Sequence, residues 1–222
     1  MMKRPTHPQT ASPGARIASV AAVLVLSTVA SLAIAQTPAD ANSRRVSESL
    51  AVNMCATCHG PTGVSTQPKV PRLAGQQRDY LEVQLKAFRT KSRNDPEAHT
   101  FMSSIASTLN DNVVAGLAEY YAAQTPGKGR ESGRDAIQVA QGERLYQNGD
   151  RERGIAACSA CHGTKGEGMS VFPRLAGQHA YYLGTQMQAL QNKLRESPVM
   201  HGVIKNLTIE DIHVLAYYLE SL

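Results

Sequence analysis

The chain has 222 residues, of which 42% are hydrophobic and 18% charged, with no Trp, three Phe and a net charge of +5 at neutral pH. These figures exclude a disordered, highly charged chain and a core built on large aromatic side chains. Three of the positive charges, Lys3, Arg4 and Arg16, lie in an acid-free stretch over 1–35, so the remainder has a net charge of only +2 and gives no electrostatic case for nucleic-acid binding.

In chain order, the basic start is followed by an uncharged apolar run over 17–35 that ends in Ala33-Ile34-Ala35. This pattern predicts a secretory signal peptide cleaved after Ala35, hence export to the periplasm. The run is also long enough to cross a bilayer, so an uncleaved membrane anchor is the alternative. Residues 36–44 are expected to be polar coil, and Val46 to Met54 a brief helix in which Val46 and Leu50 are the apolar positions.

That helix leads into Cys55-Ala56-Thr57-Cys58-His59, a stretch that returns as Cys158-Ser159-Ala160-Cys161-His162. C-x-x-C-H is the pattern of covalent c-type haem attachment. Two thiols one helical turn apart can add to the two vinyl groups of a haem, and the adjoining imidazole turns under the iron. Two copies predict two haem c groups and consume all four cysteines of the chain. A zinc half-site or a dithiol redox pair explains neither the His after each second Cys nor the repetition.

The repetition extends beyond the motif. After a Gly- and Pro-rich loop over 60–70, Pro71-Arg72-Leu73-Ala74-Gly75-Gln76 recurs unchanged as Pro173 to Gln178, at an offset of 102. A helix is predicted after each copy: Tyr80, Leu81, Gln84, Leu85 and Phe88 are answered by Tyr182, Leu183, Gln186, Met187 and Leu190. Polar loops are expected over 91–100 and 192–198, and from Met102 the offset is 98. Each half ends in an amphipathic helix, with Asn110 and Thr208 as N-caps and a Thr208–Asp211 capping box. The stretch 125–135 reads as a linker between an N-terminal module over 36–124 and a C-terminal module over 136–222, which opens on a helix bearing Gly142 and Tyr146.

Each motif supplies one axial ligand, His59 or His162. Met102 and Met200, aligned with each other across an otherwise divergent loop, are the candidates for the opposite face, since Met/His is an established haem ligand pair. Met54 adjoins Cys55 and cannot reach that face, and Met169 is only seven residues past His162. His99 and His201 form no symmetric pair in the repeat, and His179 and His213 read as surface or structural residues.

With these features aligned, residues 44–222 resemble a dihaem cytochrome c of the cytochrome c4 family. The resemblance implies an all-α chain of two tandem class I cytochrome c-like haem domains in a pseudo-twofold relation. It also implies that Pro71 and Pro173 offer carbonyls to His59 and His162, and that haem propionates lie near the interface, with Arg72, Arg174, Tyr80 and Tyr182 as their candidate partners. One departure is visible: Gly142 and Tyr146 have no counterpart in the first half, so helix packing around the first haem is expected to differ. The implied function is a periplasmic electron carrier from a quinol-oxidising cytochrome bc complex or a dehydrogenase to a terminal cytochrome c oxidase. The alternatives are the cytochrome subunit of a dehydrogenase complex and a dihaem peroxidase, which would need an open iron.

Overall fold

A computed structural model describes Met1, residues 39–130 and residues 135–222. The signal segment expected over 1–35 lies outside the described residues, apart from Met1. Thr37–Leu222 form one compact unit. Among the described residues there is no strand, only three isolated bridges, and the fold is all-α as expected.

The first half consists of α1 (Ala41–Leu50), a π-helical turn (Ala51–Cys55), α2 (Ala56–His59), α3 (Arg78–Arg89), α4 (Pro96–Ala106) and α5 (Asp111–Ala122). The second consists of α6 (Ala136–Asn148), α7 (Ser159–His162), α8 (Ala180–Gln191), α9 (Pro198–Ile204) and α10 (Ile209–Ser221). In each, the first and last long helices pack together, α1 on α5 and α6 on α10. The expected capping box at Thr208 and Asp211 is present, and Asn110 accepts a hydrogen bond from the Val113 N–H.

Two expectations about local structure are corrected. The helix begins at Ala41, inside the stretch expected to be coil, because the Asp40 carboxylate accepts hydrogen bonds from the N–H groups of Asn42 and Ser43 and so closes its first turn. Its buried face is Ser43, Ser47 and Ala51, while Val46 is 41% exposed. Small polar residues serve here because the helices approach closely. The Ser47 hydroxyl donates to Val113 O at 3.0 Å, and a Cβ on Gly116 of α5 would fall onto the Ser47 side chain.

The second half makes the same close approach with the glycine on the other helix. A Cβ on Gly142 of α6 would fall onto the carbonyl of Val214, the counterpart of Gly116 at offset 98. The expected difference in helix packing is thus an exchange of the small residue between partners.

The second correction concerns the segments expected to be polar loops. Residues 96–100 are already helical, and Pro198 opens α9. Both helices carry Pro in the first turn, where its missing N–H costs no hydrogen bond and its fixed φ suits the helix. Met102 and Met200 therefore lie on helices.

Each half has its own core, Leu81, Val114, Leu117 and Tyr121 in the first and Tyr146, Leu183, Ile212, Leu215 and Tyr218 in the second. Such side chains contribute roughly 2 kcal/mol each on burial. The described part of the linker is held against both halves: Arg72 Nη1 donates to Lys128 O at 2.8 Å, and Arg130 N–H donates to Glu220 O at 2.9 Å.

Candidate haem sites

The two C-x-x-C-H stretches form single helical turns that end at Gly60 and Gly163, both at φ +82°. Only glycine adopts that backbone freely. The reversal returns the chain toward each hexapeptide, where His59 Nδ1 lies 2.9 Å from Pro71 O and His162 Nδ1 lies 3.0 Å from Pro173 O. A carbonyl only accepts, so each Nδ1 carries the proton and each Nε2 keeps its lone pair for a metal. Both histidines are buried, and burial pushes their pKa values below the ordinary imidazole range, which favours the neutral form.

No cysteine is paired with another; Cys58 and Cys161 are exposed, Cys55 and Cys158 half-buried. Burial pushes the Cys158 thiol up to about 11 and the Cys55 thiol upward as well. A redox dithiol needs a lowered thiol pKa, the opposite of what the fold provides. No group of three or more His, Cys, Asp and Glu able to hold a metal ion occurs among the described residues, which leaves the zinc reading without its ligands. Two unpaired thiols about one helical turn apart, beside an imidazole with its lone pair free, do fit covalent haem.

Met102 is half-buried against Phe88, Ala98 and Ala106, and Met200 is half-buried against the second core. Met54 and Met169 are 40% and 60% exposed, and Met187 packs against the second core. His99 and His213 are exposed, and His201 Nε2 bonds to Arg195 O at 2.9 Å. His179 is buried at 2% exposure, a structural residue.

The predicted propionate partners divide into two groups. Arg72 Nη1 donates to Lys128 O and to Gly177 O at 2.6 Å, and the Nε atoms of Arg72 and Arg174 are buried without a partner among the described residues. Tyr80 joins a buried polar cluster that sequence reasoning missed. Arg93, only 3% exposed, grips both oxygens of Asp95 at 3.0 and 2.9 Å and donates to Gln84 and Gln186. Arg195 donates to Gln186 Oε1 at 2.8 Å, Gln84 Oε1 at 3.0 Å and the Tyr80 hydroxyl at 2.6 Å.

Tyr182 is half-buried beside Arg93, Tyr80 and Arg195. Two guanidinium groups facing one carboxylate leave positive charge in a desolvated place, a donor set suited to carboxylates. The signal was in the sequence, since Arg93 and Arg195 are related by the same offset of 102 as the hexapeptides.

A family model described as Cytochrome c matches twice, over residues 46–122 and 139–222. The solved structure of cytochrome c4 from Acidithiobacillus ferrooxidans is 38% identical, with a TM-score of 0.71, and the match covers 76% of this chain and 98% of that one. This chain belongs to the cytochrome c4 family. It is also similar to cytochrome c-552 of Acidithiobacillus ferridurans, 37% identical over 90% of this chain and 85% of the relative. A protein of Thiomonas intermedia named thiosulfate dehydrogenase electron acceptor is 34% identical over 75% of this chain and 77% of its own length. As a cytochrome c4, the chain is a dihaem electron-transfer protein with two covalently bound haem c groups, one for each Cys-x-x-Cys motif, in two tandem class I modules related by a pseudo-twofold axis.

Proposed function

We propose that this cytochrome c4 is an exported electron carrier in which His59 and Met102 ligate the iron of the first haem, and His162 and Met200 that of the second. Cys55 and Cys58, and Cys158 and Cys161, hold the two haems by thioether bonds, and the modules span residues 36–124 and 136–222. The observation that carries the reading is duplication. Both histidines bond the matching proline carbonyl through Nδ1, and both methionines sit half-buried on matching helices.

When bound, haem supplies a one-electron iron couple whose potential a thioether ligand raises. The chain's own residues orient each imidazole, exclude water around it and hold it neutral. Two identical ligand sets suit relay, whereas a peroxidase needs one iron open to its substrate.

By this reading the protein takes electrons from a quinol-oxidising cytochrome bc complex or a periplasmic dehydrogenase and passes them to a terminal cytochrome c oxidase. No helix among the described residues is long and apolar enough to cross a membrane, and residues 17–35 remain the candidate anchor if the signal is retained. The thiosulfate dehydrogenase electron acceptor supports the second reading, a cytochrome dedicated to one dehydrogenase. Reoxidation of the reduced protein by oxidase-containing membranes tests the proposal. Rapid turnover supports the free carrier; no turnover, with co-elution of a dehydrogenase from native extract, supports the dedicated subunit.

A further inference from the structure

The two copies of the hexapeptide meet at the interface in a reciprocal way. Gln178 Oε1 accepts the Arg72 N–H at 2.9 Å while its Nε2 donates to Arg72 O at 2.9 Å. Gln76 Oε1 accepts the Arg174 N–H at 2.7 Å while its Nε2 donates to Arg174 O at 2.9 Å. Both glutamines are buried, at 6% and 7% exposure.

The partner they choose is informative. The Arg72 N–H and the Pro71 carbonyl belong to one peptide group, and that carbonyl accepts the His59 Nδ1–H at 2.9 Å. On the other side, Arg174 N–H and Pro173 C=O form the peptide group that accepts from His162 at 3.0 Å. Each of these peptide groups therefore carries a hydrogen bond at both ends, the amide oxygen of a glutamine on its N–H and an imidazole on its C=O. Accepting at the N–H moves electron density toward the carbonyl oxygen and makes it a stronger acceptor. A stronger acceptor makes the imidazole a better electron donor, which stabilises the oxidised iron and lowers the reduction potential.

We infer that Gln178 tunes the first haem through His59, and Gln76 tunes the second through His162. Each module's potential is then set in part by a side chain of the other module. The inference rests on the reading of His59 and His162 as axial ligands. Each amide brackets one arginine backbone, Arg72 or Arg174, so that in both modules one of its two bonds falls on the N–H of the peptide group whose carbonyl holds the ligand histidine. Gln76 and Gln178 are positioning residues in this account, acting on the iron through the peptide and the imidazole.

The test is haem-resolved redox titration of the full-length holoprotein, with the two haems distinguished by their paramagnetically shifted methyl resonances. Gln178→Met, close in volume and unable to accept from Arg72 N–H, is expected to raise the potential of the first haem and leave the second unchanged. The expected shift is about threefold in the oxidised-to-reduced ratio at fixed applied potential, roughly 30 mV at 59 mV per decade. Gln76→Met is expected to do the converse. Shifts in the mutated residue's own module, equal shifts in both, or none overturn the inference.

Should the methionine variant fail to fold, Gln178→Glu keeps an acceptor at Arg72 N–H and is expected to lower the potential of the first haem more than that of the second; a rise contradicts the account. The wild-type spectrum separates the two levels of failure. Absence of hyperfine-shifted imidazole resonances overturns the ligand reading and the inference together, whereas their presence with no crossed shift overturns the inference alone.

Discussion

Tyr121 and Tyr146 stand beside the first cysteine of their respective motifs, Cys55 and Cys158, and reach that place from opposite ends of their modules. Tyr121 comes from the last helix of the first half and Tyr146 from the first helix of the second. Each pairs with the same partner of the repeat, Tyr121 with Tyr120 at 5.1 Å and Tyr146 with Tyr218 at 5.5 Å between ring centroids. Ala51, four residues after Ser47 at the start of the π-helical turn that continues α1, takes the place that Tyr146, four after Gly142, takes on α6, while Leu219 takes the place of Tyr121. One aromatic ring per module is kept and its origin exchanged, in step with the exchange of Gly116 and Gly142.

The two tyrosines differ in what their hydroxyls do. Tyr146 donates to Gly163 O at 2.6 Å, whereas the buried Tyr121 hydroxyl has no nitrogen or oxygen partner among the described residues. Tyr146→Phe is expected to cost about 1 kcal/mol of stability and Tyr121→Phe to be close to neutral. Chemical denaturation of the two variants checks this.

The glycines give a second contrast. Gly142→Ala places a methyl group against the Val214 carbonyl, so α6 and α10 must separate, at a cost of several kcal/mol by the usual penalty for overpacking. Gly202 on α9 has nothing within 4 Å of an added Cβ. Gly202→Ala is expected to stabilise by roughly 0.5–1 kcal/mol through helix propensity alone. Thermal melts of the two variants should move in opposite directions.

These exchanges also show where sequence reading stops. The haem motifs, the paired hexapeptides and the Thr208–Asp211 box were legible because each is a local pattern tied to one geometry. The start of α1 was not, since its buried face is Ser43 and Ser47, whose fit depends on Gly116 some seventy residues away. The repeat offset pairs Arg93 with Arg195 but does not show the burial of Arg93, because a charged residue in a polar stretch reads as solvated until the fold brings Gln186 and Asp95 around it.

Among the described residues Asp95 is the only carboxylate that Arg93 bonds, and both are almost wholly buried. Asp95→Ala leaves that guanidinium without its counter-ion and is expected to cost roughly 3 kcal/mol. Arg93→Lys should not restore the wild-type stability, because a single ammonium cannot reproduce the fork that spans Asp95, Gln84 and Gln186. Denaturant titration of both variants is the check.

His179 makes the interface sensitive to pH. Its Nε2–H faces Ser65 Oγ at 2.9 Å and Ser65 O at 3.1 Å, and its Nδ1 lies 4.0 Å from the Glu220 carboxylate, with Arg72 and Arg130 also nearby. Burial, followed by the Arg72 charge, pushes its pKa below the ordinary imidazole value of 6.5, against the opposing pull of Ser65 and Glu220. Between the lowered folded value and 6.5 the unfolded chain binds the proton more readily, so this contribution is full above pH 6.5 and is lost as pH falls through the folded value. Gln77, its counterpart, donates to Glu167 O without titrating. His179→Gln is expected to flatten the pH dependence of stability below pH 6.5, measured as melting temperature against pH.

The central claim is that both irons are closed by His and Met, and the absorption spectrum of the purified holoprotein, with and without carbon monoxide, tests it most directly. The account predicts two low-spin haems with the weak far-red sulfur-to-iron band, no change on adding carbon monoxide, and loss of that band at one haem in Met102→Ala and at the other in Met200→Ala. A high-spin fraction that binds carbon monoxide in the wild-type protein, or methionine variants with unaltered spectra, would contradict it.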